Sequence, residues 1–170
     1  MMKFNVPVLG FAAYSGTGKT TLLVKLIPLL KQEGMRIALI KHAHHDFDID
    51  VPGKDSYELR KAGADQVLIA SSIRQALIKE NVSGKEPKLE DMIKQLDLED
   101  VDLVLVEGFR HVPFPKIELH RPCLNKELIF PEDSSVIAVA TDGQIDTGGI
   151  PVLDINQPEN LVMFIQQWMA

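Results

Sequence analysis

Short apolar runs alternate along this chain with stretches in which apolar residues recur every three or four positions. Val8–Ala12, behind Pro7, predicts a buried strand. Thr20–Glu33 places Leu22, Leu23, Leu26, Ile27 and Leu30 on one helical face, with Gly34 as its stop. Pro28 predicts a kink there, because its ring conflicts with the Val24 carbonyl. Arg36–Lys41 reads as the next strand and His42–Asp55 as a polar loop. Asp55 with Glu58 resembles a capping box for a short helix through Ala62, ended by Gly63. Gln66–Ala70 is a third strand and Ala76–Lys79 a fourth, read as antiparallel. Pro87 suits the first position of a helix carrying Leu89, Ile93 and Leu96. Leu103–Val106, Val136–Ala140 and Pro151–Asp154 are further strands. Pro158–Met169 is a closing helix with Asn156 as its N-cap.

Strands apolar on both faces, alternating with helices, predict an α/β fold: a mostly parallel sheet covered by helices on both sides. The rhythm breaks between Phe109 and Pro131, a region with four prolines and the alternating piece Lys116-Ile117-Glu118-Leu119-His120. An inserted hairpin or an exposed edge is expected at 109–131. No internal repeat or low-complexity tract appears, and 170 residues suit a single domain over 1–170.

Composition narrows the function. Charged residues make up 25% and the net charge is −6, so a broad basic footprint for nucleic acid is not expected. A single cysteine, Cys123, excludes a disulfide framework and fits a reducing compartment. No apolar run approaches the ~20 residues of a membrane span, and Met1–Pro7 makes a poor signal peptide. A cytoplasmic protein is expected.

The strongest chemical signal is Ala13-Tyr14-Ser15-Gly16-Thr17-Gly18-Lys19-Thr20. It matches the phosphate loop G-x-x-x-x-G-K-[ST] except that Ala13 replaces the first glycine. Gly16 and Gly18 let successive N–H groups curl around anionic oxygens, and the helix that follows points its positive end at them. Lys19 suits β- and γ-phosphate oxygens, and the Thr20 hydroxyl suits Mg²⁺. Ser15, Gly16, Thr17, Gly18, Lys19, Thr20 and Thr21 are the nucleotide-binding candidates. The motif predicts a P-loop NTPase-like fold.

A second acid should close the metal site. Glu107 ends the apolar strand Leu103–Val106 and is the candidate for contacting Mg²⁺ or orienting water. Asp102 opens the same strand about 17 Å away at ~3.4 Å per residue, at the wrong end. Lys19 and Glu107 are therefore the candidate catalytic pair, and Thr20, Glu107 and Asp48 the candidate metal residues. Asp48 comes from His42-Ala43-His44-His45-Asp46-Phe47-Asp48-Ile49-Asp50. That segment fails as a calcium loop, with Val51 and Tyr57 where glycine and glutamate are needed, and lacks thiolates for zinc. Its spacing does not choose among Asp46, Asp48 and Asp50, and a solvated loop explains it equally well. Lys41 and these histidines can meet phosphate or an anionic substrate. Ser71–Arg74 is either a phosphate contact or an ordinary turn. Asp142, leaving a strand end, can accept both guanine N1–H and N2–H₂, although aspartates commonly start turns. Cys123, His111 and His120 are too sparse for a metal site.

The chain resembles the MobB family of molybdopterin-guanine dinucleotide biosynthesis. The resemblance lies in the loop Tyr14–Thr21, in Ile40-Lys41-His42 followed by Asp48–Ser56, in Arg60-Lys61-Ala62-Gly63-Ala64, and in Val106-Glu107-Gly108-Phe109. The Pro-Gly-Lys-Asp-Ser and Glu-Gly-Phe segments are its most specific parts. It implies a homodimeric, GTP-binding accessory protein of molybdenum cofactor maturation. Such a protein assists the guanylyltransferase that joins GMP to molybdopterin, with molybdopterin or the molybdenum cofactor as a further ligand. Two other readings remain at this point: a small-molecule kinase or ATP-dependent ligase, and a GTPase switch acting only through protein partners. Intrinsic hydrolysis should be slow, since no glutamine flanks Glu107-Gly108 to place water and neither Arg74 nor Arg110 has a context that makes it an arginine finger.

Overall fold

The computed structural model describes residues 4–43, 47–81 and 84–170. The chain forms two compact units, one of Met1–His42 with Leu89–Ala170 and one of Ala43–Lys88.

The first unit is built on six strands: β1 (Val8–Ala13), β2 (Ile37–Lys41), β5 (Leu103–Glu107), β6 (Lys116–His120), β7 (Val136–Thr141) and β8 (Val152–Asp154). Their order is β2-β5-β1-β6-β7-β8, and every pairing is parallel. Helices α1 (Lys19–Gln32) and α4 (Pro158–Met169) cover one face. Leu22, Leu26, Leu30, Leu161 and Ile165 pack there against Leu9, Phe11, Leu105 and Ile117. On the other face Leu89 and Ile93 of α3 (Leu89–Ile93) pack with Val104, Val106, Phe109 and Phe114. The predicted α/β fold with a mostly parallel sheet and helices on both sides is the observed one.

Local signals explain most boundaries. Gly34, at φ +84°, ends α1 with its N–H on the Lys31 carbonyl while the Met35 N–H bonds Leu30, the paired bonds of a left-handed stop. The helix stays continuous through Pro28. Several boundaries differ from expectation. α3 ends at Ile93, after which Gln95 and Leu96 make tighter i→i−3 bonds, and it begins two residues beyond Pro87. Gln157 rather than Asn156 precedes α4. Lys54 rather than Asp55 caps α2 (Asp55–Lys61), so the acid enters the first turn, where the helix dipole favours it.

The hairpin or edge expected at 109–131 is not there. Its alternating segment is β6, an interior strand between β1 and β7, and all five residues are buried. The alternation misleads because the polar side chains find partners indoors. Lys116 Nζ, 1% exposed, bonds Asp133 at 2.7 Å and Ser135 at 2.6 Å. The Glu118 carboxylate accepts the N–H groups of Ile129 and Phe130 at 2.8 and 2.9 Å. Burial nevertheless pushes its carboxyl above the ordinary glutamate range.

The second unit contains α2 and an antiparallel pair, β3 (Gln66–Ala70) with β4 (Gln75–Lys79). Arg60 ties this unit together. It bonds Glu80 at 2.9 Å, pairs with Asp48, and lies 3.9 Å from Asp50, which accepts from Ser56 at 2.9 Å.

Candidate functional site: a phosphate loop ringed by strand ends

Strand β1 delivers the chain into the glycine turn, and α1 leaves it. Gly16 and Gly18 sit at φ +84° and +94°, conformations that a side chain would strain. Between them Thr17 is 2% exposed and turns inward, its hydroxyl donating to the Tyr14 carbonyl at 2.8 Å. Thr17 therefore closes the turn with its side chain. Ser15, Thr20 and Thr21 stand exposed around it. No side-chain oxygen caps α1 and no acid lies in its first turn, so its leading N–H groups keep their capacity for an anion.

Glu107 lies at the carboxyl end of β5, beside β1. Its Oε1 is 3.6 Å from Lys19 Nζ and its Oε2 is 3.7 Å from Lys41 Nζ. One carboxylate, 14% exposed, thus joins the loop lysine to the last residue of β2, with which it is in register. Asp102, at the opposite end of β5, bonds Arg36 as its remote position requires.

The turn after Glu107 explains the Glu-Gly-Phe segment. A Cβ on Gly108, at φ +105°, would fall 2.5 Å from the His42 Cβ. Phe109 also takes a positive φ, +52°, and its ring stacks on His42 at 4.5 Å. This double turn brings Arg110 to the phosphate loop. The guanidinium lies 4.5 Å from the centre of the Tyr14 ring and donates to its hydroxyl at 3.2 Å, while Lys126 lies 6.0 Å from the same ring. Arg110, which no sequence context marks as an arginine finger, contacts the loop tyrosine.

Asp142 follows β7, as read from sequence, and its carboxylate is engaged by Arg121. Arg121 had no sequence signal. Its Nε donates to the Thr17 carbonyl at 3.0 Å and its Nη2 to Asn156 Oδ1 at 3.4 Å. Asp48 and Asp50 belong to the second unit and face Arg60; Arg74 lies in the β3–β4 turn, where Ser71 accepts its N–H. Asp46, His44 and His45 fall outside the described residues. Among the described residues no group of three metal-binding side chains assembles, and no helix is long and apolar enough to cross a membrane.

Comparison with known proteins bears on the family and the fold. The family model for molybdopterin guanine dinucleotide synthesis protein B matches residues 8–142. The molybdopterin-guanine dinucleotide biosynthesis adapter protein of Escherichia coli K12 is 50% identical over 173 residues, covering 98% of this chain and 95% of that one. Its Haemophilus influenzae counterpart is 43% identical over 169 residues, covering 99% and 92%. A crystal structure of molybdopterin-guanine biosynthesis protein B superposes with a TM-score of 0.74 at 25% identity, over 95% of this chain and 99% of that one. This P-loop protein thus belongs to the MobB family, the molybdopterin guanine dinucleotide synthesis protein B family.

Proposed function

We propose that this chain is a GTP-binding accessory protein of molybdenum cofactor biosynthesis that assists a guanylyltransferase in attaching GMP to molybdopterin. The observation that carries the reading is the Lys19–Glu107–Lys41 array beside a glycine turn open to an anion. Such a site clamps a triphosphate by N–H groups and ammonium charge. The guanine and molybdopterin parts of the reading are supported by the names of the relatives. A reducing, cytoplasmic setting suits the free, exposed thiol of Cys123.

The donor set fits Mg²⁺, a hard cation that takes oxygen ligands. Thr20 supplies a hydroxyl and Glu107 a carboxylate, and the ion would neutralise phosphate charge there. Asp48, the third metal candidate from sequence, pairs with Arg60 within the second unit. Lys19 holds and balances phosphate charge, while Glu107 orients the two lysines and would help hold the cation, binding roles that need no fast turnover. The kinase or ligase alternative is distinguished by phosphate release with small acceptors, and the adapter reading by cofactor transfer that requires the transferase.

Lys19→Ala tests the site. Loss of a charge-assisted contact of ~1.5–3 kcal/mol should weaken GTP about tenfold to a hundredfold by titration calorimetry. Unchanged affinity in a folded variant removes the phosphate-loop assignment.

A further inference from the structure

Three strand ends meet at one guanidinium, which reaches a carbonyl of the phosphate loop. Arg121 leaves β6, Asp142 leaves β7 and Asn156 follows β8. The guanidinium spans them: Nε to the Thr17 carbonyl, Nη1 to Asp142, Nη2 to Asn156. The arrangement is braced behind the contact atoms. Pro122 packs so closely on Gly143 that a Cβ there would fall 2.5 Å from the Pro122 Cγ, which fixes the backbone on both sides of the Arg121–Asp142 pair. The Thr141 hydroxyl accepts the Gly143 N–H at 3.2 Å, and the Asp154 carboxylate accepts the Asn156 N–H at 2.8 Å. The Arg121 guanidinium also passes within 3.9 Å of where a Gly18 Cβ would stand.

The consequence follows from peptide geometry. In a planar trans peptide the C=O of one residue and the N–H of the next point in opposite directions. Gripping the Thr17 carbonyl from the β6 side therefore turns the Gly18 N–H the other way. Thr17 itself is held by its side-chain bond to Tyr14, so the peptide between Thr17 and Gly18 is the segment left for Arg121 to orient. At φ +94°, Gly18 offers little resistance of its own to peptide rotation. An arginine suits the task because its planar fork meets three acceptors at once, which a lysine ammonium on a flexible stem does not reproduce.

We propose that Arg121, anchored by Asp142 and Asn156, is a positioning residue that sets the phosphate loop for a polyphosphate, and that Asp142 acts through Arg121 rather than by reading the base. The proposal rests on the triphosphate-binding reading above. It predicts an effect independent of the nucleobase.

Titration calorimetry of the full chain with GTP, ATP and inorganic tripolyphosphate tests it, using wild type, Lys19→Ala, Arg121→Ala, Arg121→Lys, Asp142→Ala and the double variant Arg121→Ala with Asp142→Ala. Arg121→Ala should weaken GTP and tripolyphosphate by the same factor, about tenfold, the scale at which outer partners of a binding group act. Asp142→Ala should weaken both in the same proportion and by less. The double variant should bind no more weakly than Arg121→Ala, because the carboxylate acts through the guanidinium. Arg121→Lys should fail to restore affinity. Thermal midpoints by circular dichroism should match wild type, and if Arg121→Ala does not fold, Asp142→Ala carries the test alone. Wild-type affinity in Arg121→Ala overturns the proposal. So does an Asp142→Ala loss confined to GTP, which makes Asp142 a guanine reader. If wild type binds neither GTP nor tripolyphosphate, or Lys19→Ala changes nothing, the triphosphate reading itself fails and the proposal falls with it.

Discussion

Gly108 combines two demands that no other residue meets together. Its φ of +105° is one, and the 2.5 Å approach of a would-be Cβ to His42 is the other. Gly108→Ala should therefore cost about 1–3 kcal/mol from backbone strain alone, seen as a lower urea midpoint. Because the same turn sets Glu107 and aims Arg110 at Tyr14, GTP affinity should fall with it. An alanine variant of wild-type stability would show that the turn relaxes freely. At this scale the phosphate loop was legible, since its spacing encodes backbone chemistry directly. Arg121 was not, because its partners lie 104, 21 and 35 residues away in sequence. A lone arginine before Pro122 carries no local sign of that convergence.

Strand β6 shows the limit of pattern reading at the scale of an element. Polar-apolar alternation implies one wet face, yet both faces are buried and the lysine is neutralised by a residue 17 positions downstream. Asp133→Ala should leave the 1%-exposed Lys116 with only the Ser135 hydroxyl and the face of the Phe114 ring, at a cost of about 3 kcal/mol. The pair also predicts an acid limb. Burial alone would raise the Asp133 carboxyl, but the bonds from Lys116 and Ser135 outweigh it and hold it below the ordinary aspartate value of 3.8. A depressed folded-state value means that the stabilisation is present above that ordinary value and is lost as pH falls through the folded one. Chemical unfolding at pH 7 and in steps below pH 4 should show the variant weaker at neutrality, with a shallower acid decline. Coincident wild-type and variant curves would mean that the pair contributes nothing.

At the scale of the whole molecule, the second unit bears an unusual share of exposed apolar side chains. Phe47, Ile49, Val51, Leu59, Leu68, Ile69, Ile73 and Leu77 are each at least 40% exposed. A two-stranded sheet is marginal alone, and its edges invite pairing. We propose that a second copy of this chain covers it, since the same surface on each copy suits a twofold, self-complementary contact. A homodimer is what the family resemblance implies; the Lys116–His120 segment, read from sequence as an edge that would invite pairing, is buried, and the β3–β4 pair offers exposed apolar surface in its place. Light scattering at micromolar concentration should give a dimer, and Leu68→Asp with Leu77→Asp a monomer. A monomeric wild type would exclude the dimer.

The sequence by itself determined the strand–loop–helix unit and the parallel α/β class, because each is written in local spacing: turn glycines, apolar runs, helical stripes; the family entered through the resemblance of its Pro-Gly-Lys-Asp-Ser and Glu-Gly-Phe segments. It also placed Glu107 at a strand end, since the length of an apolar run says where a strand stops. Only the tertiary structure decided that β6 lies inside the sheet. That outcome depends on distant groups arriving to satisfy Lys116 and Glu118, and desolvation is tolerable only once they have arrived. The same holds for Asp142 and Asn156. Read locally, they suit a base contact and a helix cap. The fold makes both acceptors for one guanidinium, because parallel strands bring their carboxyl ends to one rim whatever their separation along the chain.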